Sequence, residues 1–117
     1  MHENAVLDKA MEFAVRVVRM CQYLTTEKKD FVMSKQLLRS GTSIGANIAE
    51  ALSAVSRRDF LSKMYIAFKE SSESLYWLEL MYRTDYLTER QYQSMKSDCY
   101  ELRQMLSSIT KTTRETL

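Results

Sequence analysis

The chain has 117 residues, with 17 Lys and Arg against 15 Asp and Glu, 45% hydrophobic residues, two Gly and no Pro. That length holds one core, so a single domain over residues 1–117 is expected, and a β-sandwich or barrel is excluded because it needs many Gly- or Pro-marked turns. The net charge of +2 excludes a nucleic-acid binder recognisable from overall charge alone.

The first apolar stripe, Val6, Ala10, Phe13, Val17, Cys21 and Leu24, advances in steps of three or four and predicts a helix over about residues 5–24. A polar stretch from Thr25 to Asp30 follows. Ser34 then reads as an N-cap, with Met33 and Leu38 at the spacing of a hydrophobic staple. The second helix, about residues 35–54, carries Leu37, Gly41, Ile44, Ile48 and Leu52 inward. Ser56 with Asp59 caps a third, stapled by Val55 and Phe60. This helix, about 57–83, aligns Phe60, Met64, Ala67, Ser71, Leu75, Leu78 and Tyr82. Thr88 and Gln91 make a further capping signature, stapled by Leu87 and Tyr92. The fourth helix, about 89–110, has the seam Tyr92, Met95, Cys99, Leu102, Leu106 and Ile109, and the polar tail KTTRETL is expected to fray. Short links force antiparallel neighbours, so the expected fold is all-α, an antiparallel up-down-up-down four-helix bundle.

The backs of two helices are unusual. Ten residues from Ser40 to Ala49 carry no charge, and the side opposite Ile44 and Ile48 presents only Thr42, Ser43, Ala46 and Ala49. Solvated helix backs normally carry Lys or Glu; small ones let another backbone approach. The third helix places Ile66, Trp77 and Leu80 away from its core stripe, with Glu70 and Glu73 between them. These nine residues are the expected interface of a homo-oligomer, with Trp77 as anchor. The alternatives are close packing within one protomer and a Trp77 that covers the bundle end.

No chemistry of catalysis or metal binding is legible. A di-iron bundle needs inward Glu-x-x-His pairs, and the lone histidine is His2. Cys21 and Cys99 lie on core stripes, lack CxxC spacing and have no internal His to take a proton, so they read as core thiols of a chain in a reducing compartment. No catalytic or metal residues, no cofactor and no enzymatic activity are expected. The start MHENAVLDK lacks a basic, then apolar, leader and no apolar run reaches 18 residues, which predicts a cytoplasmic chain without membrane contact.

Phosphate contact needs cations gathered in space. Arg19, Lys28, Lys29, Arg83 and Arg90, extended by Lys35 and Arg39, form one candidate group near one end of the bundle, and Arg57, Arg58, Lys63, Lys111 and Arg114 another near the other, each diluted by nearby carboxylates; Lys28, Lys29, Lys35, Arg39, Arg57 and Arg58 are the candidate phosphate contacts. Symmetry in an oligomer would repeat a modest patch and raise avidity.

The segments RSGTSIGANIAEA, Arg39 to Ala51, and SRRDFLSKMYIAFKESSESLYWLEL, Ser56 to Leu80, resemble the 23S rRNA intervening-sequence protein family, also called four-helix bundle proteins. The resemblance spans nearly the whole chain. Its most specific parts are NIAEA, Lys69 with Glu70, and Trp77 to Leu80; Ala51 stands where many members have Gly, and Lys69 with Glu70 where many have a GS pair. It implies a bacterial, non-enzymatic protein whose gene can lie inside an inserted segment of the large ribosomal RNA gene. The family is also similar to the accessory protein of diversity-generating retroelements, a basic five-membered ring that binds nucleic acid and a reverse transcriptase. The resemblance thus implies a homo-pentamer and structured RNA or DNA as partner. The near-neutral charge departs from that relative, and a scaffold for a protein partner, without nucleic acid, is the alternative function.

Overall fold

A computed structural model describes residues 2–117, with side chains from Ala5 onward. Its four helices are α1 (His2–Glu27), α2 (Met33–Ala51), α3 (Arg57–Arg83) and α4 (Glu89–Glu115). In cross-section they form a square: α1 packs on α2 and α4, and α3 packs on α2 and α4. Cross-contacts fix the antiparallel sense. Gly41 faces Val17 while Gly45 faces Ala10, and Arg57 reaches Thr116 while Arg103 reaches Ser72. The molecule measures 46 × 20 × 20 Å.

The stripes read from the sequence are the core. Val6, Ala10, Val17, Leu24, Leu37, Ile44, Ile48, Met64, Ala67, Leu78, Leu102 and Leu106 are wholly removed from solvent. Each large aliphatic side chain so buried stabilises the fold by about 1.5–3 kcal/mol. Two stripes are shifted from the expected register. Helix α2 stops at Ala51, so Ala51 takes the inward position and Leu52 stays exposed. On α3, Ser74 and Met81 join the buried line while Phe60, Leu75 and Tyr82 are only partly covered, which turns the helix towards α2.

The ends separate correct from incorrect capping assignments. Thr88 and Gln91 form the reciprocal box at 3.1 and 2.9 Å, with Leu87 and Tyr92 both buried beside it. Ser56 caps α3 through Asp59 N at 3.0 Å. Asp59 reaches back to the N–H of Val55, and the Val55 side chain is 93% exposed, so no staple closes there. Ser34 is not the cap of α2. It lies inside the helix, buried, and Asp30 caps instead, its carboxylate accepting from the N–H groups of Val32, Met33 and Ser34. A carboxylate at a helix start also meets the positive end of the peptide dipoles. The tail expected to fray is helical to Glu115 because Thr110 and Thr113 continue the inward stripe beyond Leu106 and are buried. No helix among the described residues is long and apolar enough to cross a membrane.

Candidate functional site

Helical geometry, about 100° per residue, sorts the surface of α1 and α2. Lys9 and Arg16 turn to α4, where they pair with Glu101 and Asp98 at 2.8 and 2.6 Å. One residue on, Ala10 and Val17 meet α2 at Gly45 and Gly41. One further, Met11 and Val18 emerge on the outer side next to α2, and both are exposed, as is Val15. On α2, Gly41 and Gly45 point to α1 and Ser40 to α3, which leaves Thr42, Ala46 and Ala49 outward. Met11, Val15, Val18, Leu38, Thr42, Ala46 and Ala49 therefore form one uncharged strip along the α1–α2 edge. The α1 part was not read from the sequence. Its signal was present: Leu7, Met11, Ala14 and Val18 repeat in steps of four, three and four, a second apolar register beside the core stripe.

The remaining residues of the expected interface, Ser43 on α2 and five on α3, are placed differently. Ile66 is exposed, and Ser43 and Leu80 are partly covered. Glu70, Glu73 and Trp77 are already engaged within the protomer. Arg39 on α2 donates to Glu70 through Nη1 at 2.8 Å and to Glu73 through Nη2, and the Trp77 indole donates to Glu73 at 3.0 Å. The indole and then the guanidinium hold the Glu73 carboxyl below its ordinary value, and the bonds to Glu73 and then Glu70 raise Arg39. Trp77 is thus partly covered, edge-on to Tyr76 at 5.1 Å, and packs against the core rather than standing free.

The six candidate phosphate contacts do not come together. Lys28 and Lys29 lie in the link after α1, and Lys35 lies in the first turn of α2; all three are exposed and free of ion pairs among the described residues. Arg39 lies on the same helix but is neutralised by its two glutamates. Arg57 and Arg58 sit at the other end of the 46 Å molecule. Arg57 donates to Thr116 Oγ1, and Arg58 lines an open cavity of about 270 Å³ with Leu61, Ser62, Tyr65, Arg114 and Leu117.

Inside the bundle the polar groups serve packing. Ser74 donates to Ser40 at 2.9 Å, wholly buried. Cys21 Sγ donates to Ser34 O at 3.1 Å and Cys99 Sγ to Ser71 O at 3.4 Å. Burial pushes the thiols up to about 11 and about 12, far from the depressed values of reactive cysteines. Among the described residues no cluster of three His, Cys, Asp or Glu could hold a metal ion, and the side chain of His2 lies outside them.

The chain matches, over residues 2–108, the family described as 23S rRNA-intervening sequence protein. No curated protein matches it. It is similar to a solved structure described as a protein with unknown function from the S23 ribosomal protein family of Bacteroides thetaiotaomicron VPI-5482. The two are 56% identical and superpose with a TM-score of 0.93, covering 95% of this chain and 99% of that one. A match across residues 2–108 that extends to the superposition of all four helices leads to one conclusion: the chain belongs to the 23S rRNA-intervening sequence protein family.

Proposed function

We propose that the protein is a homo-oligomeric accessory to RNA or ribonucleoprotein, with no chemistry of its own. The observation that carries this reading is the uncharged strip along α1 and α2, in which Met11 is 60% exposed beside Ala46 and Ala49. A contiguous apolar strip on a small bundle is an interaction surface, and small residues on α2 let a second helix come close. Thr42, Ser43, Ala46, Ala49 and Ile66 would meet the neighbouring copy, while Glu70, Glu73, Trp77 and Leu80 flank the contact. A closed ring, of five copies as the resemblance implies, would bring Lys28, Lys29 and Lys35 of every copy to one rim and Arg57 and Arg58 to the other. The name of the family, which refers to 23S rRNA, and that of the relative, which refers to a ribosomal protein family, support RNA as the ligand.

Light scattering after size exclusion tests the assembly: a mass several times 13.7 kDa is expected, and Ala46→Glu should reduce it to that of a monomer. RNA binding at low salt tests the accessory role. The nearly balanced charge favours the second reading, a scaffold for a protein partner, and absence of RNA binding by the intact oligomer would decide for it.

A further inference from the structure

Away from the uncharged strip, the groove between α3 and α4 has the opposite character. On α3, Arg58, Ser62, Tyr65, Lys69 and Tyr76 recur at helical spacing on one line. On α4, Lys96, Tyr100, Arg103, Lys111 and Arg114 form a matching line running the other way. Four contacts show that the lines share one groove. Arg103 donates to Ser72 at 2.9 Å and lies 4.8 Å over the Phe68 ring, the Tyr65 ring stacks on Phe68 at 5.9 Å, and Arg58 and Arg114 line the same cavity with Tyr65.

From Ser62 to Lys69 the groove is stripped of negative charge by the way the carboxylates are turned, while at its far end Tyr76 shares a cavity with Glu79. Between Phe60 and Leu78 the only acids on α3 are Glu70 and Glu73, and Arg39 holds both on the α2 side. Between Lys96 and Arg114 the only acids on α4 are Asp98 and Glu101, and Arg16 and Lys9 hold both on the α1 side. None of Arg58, Lys69, Lys96, Arg103, Lys111 and Arg114 forms an ion pair among the described residues. A chain of net charge +2 thereby presents six uncompensated cations on one face. Between them stand half-exposed phenol rings: Tyr65 is 47%, Tyr76 61% and Tyr100 48% exposed.

We infer that the α3–α4 groove binds single-stranded RNA, its cations tracking the phosphates and its tyrosines stacking on unpaired bases. This deepens the RNA reading above and rests on it. Cations interleaved with exposed aromatic faces are what a single strand needs, since every base has a face to stack, whereas a duplex hides those faces. The cations alone would suit an acidic protein equally; the rings at their spacing favour the nucleic acid. The groove lies on the side of the bundle away from the α1–α2 strip and shares no residue with it.

The test is fluorescence anisotropy of a short unstructured oligoribonucleotide with the full chain across a salt series, with an RNA duplex and an acidic polypeptide as competitors. Binding should weaken with salt, with a log–log slope of about −0.7 per phosphate contacted. Lys69→Gln, Lys111→Gln and Arg114→Gln should each reduce the slope by about one such step. Tyr65→Leu with Tyr100→Leu should weaken binding about thirtyfold or more, from about 1–3 kcal/mol per stacked base, with the slope unchanged. Tyr65→Phe should bind as the parent does. The groove is refuted, with RNA binding intact, if these variants leave the slope alone while Lys28→Gln with Lys35→Gln reduces it. It is also refuted if the duplex competes better than the single strand, or if only the acidic polypeptide binds. No RNA binding at low salt refutes the groove and the accessory role together.

Discussion

Gly41 lies so close to Val17 that a methyl group on its Cα would stand 2.8 Å from Val17 Cγ2. The contact is closed by a side chain that is stiff at χ1 and cannot swing away. At Gly45, one helical turn further, the same methyl would meet Ala10 Cβ at 3.5 Å, an ordinary contact. Two glycines in one helix therefore have opposite roles. Gly41→Ala should destabilise the bundle, because about 1–3 kcal/mol of overpacking outweighs the helix propensity gained. Gly45→Ala should stabilise it by up to about 1 kcal/mol. Urea unfolding of both variants at one protein concentration checks the sign, and Val17→Ala should restore Gly41→Ala in part.

The buried bond from Ser74 to Ser40 joins α2 to α3 where neither helix has a large side chain. Removing one hydroxyl leaves the other in an apolar setting, although a helical serine can turn back to the carbonyl four residues earlier. Ser40→Ala and Ser74→Ala should each cost about 1 kcal/mol, and the double variant less than their sum. A double-mutant cycle should give a coupling of about 0.5–1.5 kcal/mol. Strict additivity would show that the bond contributes nothing.

Much of this was legible because periodicity and capping are local. The stripe from Val6 to Leu24 and the box at Thr88 and Gln91 are both visible in short windows of sequence, and both are formed. The start of α2 was misread because Asp30 and Ser34 are equally good caps in isolation; the choice depends on how tightly the chain turns after Leu24, which involves a lysine in the left-handed region. The groove between α3 and α4 was legible only at the end where Arg58, Lys111 and Arg114 gather, for another reason. Its cations are scattered among acids along the chain, and only the pairing of Glu70, Glu73, Asp98 and Glu101 with neighbouring helices separates the charges in space.

The link between Arg39, Glu73 and Trp77 has a pH signature. The Trp77 indole first, and Arg39 second, hold Glu73 below the ordinary carboxylate value. A carboxyl lowered on folding adds stability that is fully present above its unfolded value, near 4.3, and is lost as the pH falls through the folded one. The side chain is more than a third exposed, so solvent screens the gain and the effect on stability is small. The titration itself is the better readout. Trp77→Phe and Arg39→Gln should each raise the Glu73 midpoint in a carbon-detected NMR titration. A midpoint unmoved by either would break the proposed link.

Among the described residues Lys29 and Asp85 are the two other than glycine with positive φ, at 55° and 68°, and each follows a helix end. At Lys29 the geometry closes α1: the N–H groups of Lys28 and Asp30 both bond Leu24 O at 3.1 Å. A lysine there carries a Cβ pressed towards its own carbonyl, which costs about 1 kcal/mol that glycine avoids, whereas aspartate tolerates the region better through its short polar side chain. Lys29→Gly should therefore raise stability by about 0.5–1 kcal/mol and Asp85→Gly by less. Asp30→Ala, next to it, should cost about 1–2 kcal/mol, because three backbone N–H groups lose their acceptor. Thermal unfolding of the three variants checks the order. Equal gains from both glycines would mean that side-chain strain is not what distinguishes the two turns.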